Sequence, residues 1–201
     1  MAKLGLTWPQ RNAERLQKTK DTAIKLGMQH PTILEIGPGG LVHFLAPYFP
    51  SGKRKEWDIY DLISYKILRN LEPFVRLPGL FQLRTTEPEE IVDVFRDLEP
   101  KEIYVVDCEP RVIDAAKRKV ESLGLGNLFD FHCMDVASGQ MPYKADIVLA
   151  YRVIPRTNNP RAALENIASS VKSNGMLSLN EDATNLPGFT RLSKGLYVRQ
   201  Y

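Results

Sequence analysis

The sequence predicts a doubly wound α/β domain: a mostly parallel sheet with helices on both faces, a C-terminal antiparallel hairpin and a helical insertion. Three observations predict it. From residue 102 onward, short β-branched runs alternate with amphipathic stretches. Those runs close on acidic or glycine-rich turns, as strands do when they feed helices. The length of 201 residues, with 43% hydrophobic and 25% charged composition, suits one core of ordinary size.

Residues 9–27 predict a helix: Pro9 suits a first turn, Ala13, Leu16, Ala23 and Ile24 recur near helical spacing, and Gly27 ends it. Thr32-Ile33-Leu34-Glu35-Ile36 reads as a buried strand running into the turn Gly37-Pro38-Gly39-Gly40. Residues 41–48 predict a short helix stopped by Pro47 or Pro50. Residues 58–71 carry one apolar face (Ile59, Leu62, Ile63, Ile67, Leu71) before Pro73, Pro78 and Gly79 break it. A helix over 88–98 follows, with Glu89 and Glu90 in its first turn and Ile91, Val94, Phe95 and Leu98 inward. Then come a strand at 103–106 ended by Asp107, a helix at 110–123 ended by Gly124, and a strand at 129–133. A strand at 145–150, a helix at 160–172 ending near Asn174-Gly175 and a strand at 176–180 complete the alternation. Residues 189–192 and 196–201 form the hairpin around Ser193-Lys194-Gly195.

Composition narrows the function classes. No apolar run approaches the ~18 residues of a membrane span, and the N-terminus lacks a secretory apolar core. Cys108 and Cys133 are the two cysteines, too few for a disulfide scaffold and outside any metal-binding spacing. A reduced, cytoplasmic protein with no metal and no membrane partner is the expectation. The first thirty residues are net basic and residues 87–109 strongly acidic. That asymmetry reads as solvated helix faces, or as steering of an anionic partner toward the N-terminus. The basic patch is too sparse to favour nucleic acid.

In a doubly wound sheet the ligand lies beyond the carboxyl ends of the strands, near the switch in strand order. Glu35 with its glycines, Asp107, Asp135 and Tyr151 all fall there. Gly37 and Gly39 allow a sharp turn and a close approach to a ligand. The third glycine of a dinucleotide fingerprint is replaced by Val42, and no Lys-Ser or Lys-Thr of a P-loop follows. Glu35 would repel a phosphate there and suits a ligand with positive charge. Asp107 can accept both hydroxyl protons of a ribose, and Asp135 an amino proton of a purine. Each also reads alone as a turn former; taken together, they favour a ligand.

These blocks resemble a known family. ILEIGPGG at 33–40, YVVDCEPRVIDAAKRKV at 104–120, FHCMDV at 131–136, ADIVLAYRVI at 145–154 and VKSNGMLSL at 171–179 resemble the class I, Rossmann-like S-adenosylmethionine (SAM)-dependent methyltransferases. The resemblance covers 33–44 and 102–201. It implies SAM as cofactor, with S-adenosylhomocysteine (SAH) as product. Glu35, Gly37, Pro38 and Gly39 would face the methionine part, Asp107 the ribose, Cys108 the adenine face, and Asp135 with the Val136 N–H the adenine edge. Tyr151 would close the methionine end. The family places its ribose acid shortly after the glycine loop, whereas most of residues 40–106 intervenes here. The chain therefore divides into a helical segment at 1–30 and a SAM-binding domain at 31–201, with an insertion at about 50–86 as lid or substrate wall. Ser173-Asn174-Gly175 replaces the usual Pro-Gly-Gly.

The acceptor is weakly encoded, because methyl transfer gains mostly from positioning, with an optional base. No Asn-Pro-Pro-aromatic motif follows the strand at 145–150, which disfavours a nucleic-acid base. The tail, with Arg152, Glu181 and Tyr197-Val198-Arg199, bears a short likeness to chemotaxis-type protein methyltransferases. His43, Tyr151 and Arg152 are the candidate catalytic residues, with Arg156, Glu181, Tyr60 and Tyr65 as further acceptor-site candidates. A methyltransferase acting on a small molecule or protein side chain leads. An aminopropyl or aminocarboxypropyl transferase, a non-catalytic SAM-binding module and, last, a nucleotide-dependent oxidoreductase are the alternatives.

Overall fold

The computed structural model describes residues 8–37, 39–40, 84–85, 88–151, 153–180, 182–183 and 186–200. Helix α1 (Trp8–Lys25) leads to strand β1 (Thr32–Ile36). The two-residue strands β2 (Gly39–Gly40) and β3 (Arg84–Thr85) pair antiparallel with each other. Helix α2 (Pro88–Phe95) passes through a 3-10 turn into β4 (Glu102–Asp107). Then follow α3 (Pro110–Ser122), β5 (Phe129–Cys133), β6 (Ala145–Ala150), α4 (Pro160–Ser169) and β7 (Val171–Leu179). The chain ends in β8 (Phe189–Ser193) and β9 (Leu196–Arg199).

Seven strands form one sheet in the order β5-β4-β1-β6-β7-β9-β8. The first five are parallel, and β7, β9 and β8 are joined antiparallel, as predicted. From β1 the chain steps outward to β4 and β5, then returns to β6 on the other side. The switch in strand order thus falls between β1 and β6, where their carboxyl ends diverge.

The central strands are apolar on both faces, so each face needs its own cover. On one, Leu16 and Ala23 of α1, Ile91 and Phe95 of α2, and Ile113 and Val120 of α3 pack over Ile33, Val105, Leu149 and Met176. On the other, Ala163 and Ile167 of α4 pack over Leu34, Val148 and Leu177. The basic N-terminal and acidic 87–109 stretches meet in the fold: Lys20 on α1 pairs with Asp97 at 2.8 Å. Part of the charge asymmetry is therefore neutralised inside the molecule, although Asp97 itself remains exposed.

One predicted element is corrected. The helix expected over 160–172 ends at Ser169, and residues 171–175 belong to β7. Val171 pairs with Ala145 and Met176 with Ile147, so β7 bulges outward between them. Tertiary pairing overrides the helical spacing there: Val171 is fully buried, Asn174 takes φ +60°, and Lys172 reaches Asp146 at 2.9 Å. The glycine turn also differs from expectation, because Gly39 and Gly40 form the ladder with Arg84 and Thr85. The helices expected at 41–48 and 58–71 lie outside the described residues, as does the 50–86 segment apart from Arg84 and Thr85. Among the described residues, no helix is long and apolar enough to cross a membrane, and no group of His, Cys, Asp and Glu could hold a metal ion.

Candidate functional site

The candidate residues gather at the carboxyl edge of β1, β4, β5 and β6. Glu35 lies one residue before the end of β1, flanked in register by Val105 and Leu149, and is only 5% exposed. Gly37 turns the chain immediately afterwards at φ +70°, a region L residues enter at a cost. Its N–H donates to the Val106 carbonyl at 2.7 Å, which ties the turn to β4. A Cβ at Gly37 would stand 2.6 Å from Val153 Cγ2. Conformation and space both require glycine here, and they leave backbone as the surface beyond β1.

Asp107 ends β4 beside that turn. Its Oδ1 accepts from the Glu109 N–H at 2.9 Å, and its carbonyl accepts from the Met134 N–H at 2.9 Å. Asp135 lies two residues beyond β5, and its Oδ1 accepts from the Ala137 N–H at 2.8 Å. Both aspartates form turns, the alternative the sequence left open, and the turns fix the two carboxylates at the sheet edge. Val136 is buried, and its carbonyl accepts from Asn166 of α4 at 2.8 Å. Cys108 and Cys133 are exposed free thiols at neighbouring strand ends, with the Cys133 thiol donating to the Cys108 carbonyl at 3.7 Å. Partial burial pushes the Cys108 thiol pKa up, and the carboxylates of Asp107 and Asp135 push it further. Cys108 is therefore a neutral surface, suited to lie against a ring rather than to attack.

Tyr151 follows β6 directly and joins a network invisible in the sequence. Its phenol oxygen lies 2.9 Å from Ser178 Oγ on β7, which lies 2.9 Å from Thr19 Oγ1 on α1. Thr19 donates to the Arg15 carbonyl at 2.8 Å. Arg15 reaches Asn180, just past β7, through Nη1 at 2.9 Å. Burial pushes the Tyr151 phenol pKa up, while its bonds to Ser178 and Thr19 and the charge of Arg15 pull it down; the Glu35 carboxylate pushes it up. Thr19 and Ser178 are 1% and 3% exposed. The signal that could have found Thr19 is its place on the apolar face of α1, between Leu16 and Ala23.

Glu35, Gly37, Asp107, Cys108, Asp135, Val136 and Tyr151 thus share one edge of the sheet. Gly39 continues from it into β2, and Arg156 closes a 3-10 turn after β6, its side chain exposed. Pro38, His43, Tyr60, Tyr65, Arg152 and Glu181 lie outside the described residues. Arg199, part of the tail whose ending bears the chemotaxis-type likeness, serves the fold. Its Nη1 donates to the Val171 carbonyl at 2.6 Å, just beyond the C-terminus of α4.

A strand-order switch with a glycine turn and acid-ended strands is the arrangement of a Rossmann-like, doubly wound domain. Residues 89–177 match a family described as "Methyltransferase domain". Fold and family match together bear out the resemblance read from the sequence, while the chemotaxis-type likeness of the tail finds no support in them. Among solved structures, the chain is similar to StiE O-MT residues 961–1257 at 13% identity, covering 87% of this chain and 51% of that one, with a TM-score of 0.50. A longer StiE O-MT piece, residues 942–1257, gives 15% identity, coverage of 85% and 42%, and a TM-score of 0.51. A SAM-dependent methyltransferase from Geobacter sulfurreducens in complex with SAH gives 14% identity, coverage of 83% and 47%, and a TM-score of 0.47. The chain spans about half the length of these relatives. At such identities the likeness is one of fold. No curated protein matches the chain.

Proposed function

We propose that the protein moves a methyl group from SAM to a small molecule or a protein side chain. One observation carries the reading: the Gly37 turn, Asp107 and Asp135 converge at the carboxyl edge where strand order switches. The residues suit the cofactor. Gly37 turns the chain at φ +70° just beyond β1, and the side chain of Val153 occupies the space a Cβ would take. Glu35 gives the methionine end an anionic neighbour for its ammonium and sulfonium charges, Asp107 suits ribose hydroxyls, and Asp135 suits the adenine amino group. Cys108 offers a neutral face to the ring.

SAM, when bound, supplies an electrophilic methyl group. The chain holds donor and acceptor in line and excludes water. Tyr151 keeps its proton near neutral pH, because burial raises its pKa; it acts there as a hydrogen-bonding group. His43, Arg152 and Arg156 are assigned to the acceptor side, His43 as the base where the acceptor needs one and the arginines as clamps for an acidic group.

The test is calorimetric titration with SAH and, in parallel, with NAD. Micromolar SAH binding without NAD binding is the expected result; the reverse would overturn the reading. Asp107→Ala should weaken SAH by ~1–3 kcal/mol, the scale of lost charge-assisted hydrogen bonds. Unchanged affinity would remove Asp107 from the site.

A further inference from the structure

No helix joins β5 to β6: residues 134–144 run between them as a loop, and that loop carries Asp135 and Val136. The bonds of the Asp135 turn, from Ala137 and Ser138, stay inside the loop and fix its shape. Its place is fixed from outside. The Met134 N–H and the Val136 carbonyl tie its start to Asp107 and Asn166. At its end Tyr143 lies flat on Tyr104 of β4, with ring centroids 3.9 Å apart and planes 18° from parallel. His132 of β5 meets the Tyr143 ring edge-on at 4.7 Å. Strand register builds this cluster: Tyr104 stands opposite Asp130 and Val106 opposite His132, which puts Tyr104, Asp130 and His132 on one face. The Tyr143 hydroxyl donates to Asp130 at 3.2 Å and lies within hydrogen-bond reach of His132.

Tyr104 lies three residues before Asp107, roughly 10 Å down the strand from the sheet edge. The loop therefore runs as a strap, from the edge at Asp135 down to mid-strand at Tyr143. Between Val136 and Ala145 only Met141 is buried, so the ring stack is a main hold of the strap on the sheet. Asp130 and His132 are half-exposed, and water screens their bonds to Tyr143, so ring contact carries most of that hold. We propose that Tyr143, by stacking on Tyr104, is a positioning residue for the cofactor: it keeps the strap taut and thereby aims the Asp135 carboxylate at the adenine edge. The role rests on the SAM reading, in which Asp135 meets the adenine amino group. Tyr104 shares it, and both tyrosines act through the loop.

The test titrates SAH and S-inosylhomocysteine, its analogue with oxygen in place of the adenine amino group, into the full chain and its variants. The wild type should prefer SAH by roughly tenfold or more, the scale of a hydrogen bond to a charged group. Tyr143→Ala should bring the two affinities to within about twofold of each other, whereas partial unfolding alone would lower both together and keep their ratio. Tyr143→Phe keeps a ring on Tyr104 and should hold the preference within about twofold of wild type. Tyr104→Ala removes the other ring and should lose the preference as Tyr143→Ala does; it carries the same test if Tyr143→Ala fails to fold. A preference that survives in either alanine variant, or that is lost equally in Tyr143→Phe and Tyr143→Ala, would overturn the role of the stack and leave the SAM reading intact. A wild type that binds both ligands equally would overturn it together with the placing of Asp135. One that binds neither would overturn the SAM reading itself.

Discussion

At the scale of the residue, two positions show how local chemistry fixes the candidate site and its surroundings. Gly37 is required twice, by its φ of +70° and by Val153 Cγ2, which a Cβ would meet at 2.6 Å. The β-branched Val153 has little rotamer freedom with which to yield. Gly37→Ala is expected to destabilise by ~2–4 kcal/mol, from left-handed strain plus overpacking. Thermal unfolding measures it, and a melting temperature within a degree of wild type would show that the turn relaxes freely. Tyr104 lies away from the site, with its hydroxyl donating to Glu102 at 2.6 Å. That bond, then burial, then the charges of Glu102 and Asp130 push its pKa from 10.0 up to about 12. Because the folded state holds this proton more tightly, the bond's contribution is complete below pH 10 and fades as pH rises toward about 12. Wild-type melting temperature should therefore fall more steeply between pH 10 and 12 than that of Tyr104→Phe. Parallel curves for the two proteins would contradict it.

At the scale of the element, α4 and its neighbours show what pattern reading can and cannot reach. The start of α4 is written locally, in Asn159, whose side chain accepts from the Ala162 N–H at 3.1 Å, and in Pro160 at the first turn. Its end is not. Residues 171–175 carry a polar, glycine-closed stretch that continues the helix on paper, yet Val171 pairs with Ala145 across the sheet. The C-terminal carbonyls are met instead by Arg199, which reaches Ala168, Ser169 and Val171 from β9. Arg199→Met should cost ~1.5–3 kcal/mol, the worth of hydrogen bonds from a charged donor, and should loosen the end of α4 selectively. Amide exchange would register this as faster opening of residues 167–171, and uniform change across the sheet would argue against it. The apolar stripe of α1 was legible, but Thr19 acquires its role from Ser178, distant in sequence and joined to it only by packing.

At the scale of the whole molecule, strand order and the gathering of acids at one sheet edge follow from the alternation of elements and from where each strand stops. Glu35, Asp107 and Asp135 could be located this way because the end of a strand is a local property. What stayed hidden is what one element does for another: the hydrogen bond from Thr19 on α1 to Ser178, the Lys20–Asp97 pair and the ladder between Gly39-Gly40 and Arg84-Thr85. That ladder carries a consequence for how such a molecule can change. It holds Gly39-Gly40 against Arg84-Thr85, so the chain leaves and rejoins the described structure at a single point. Closing a longer excursion costs little, about 0.6 kcal/mol for each doubling of a flexible loop. Lineages, or engineers, can therefore lengthen, shorten or exchange what lies between the paired ends while the sheet beneath keeps its register.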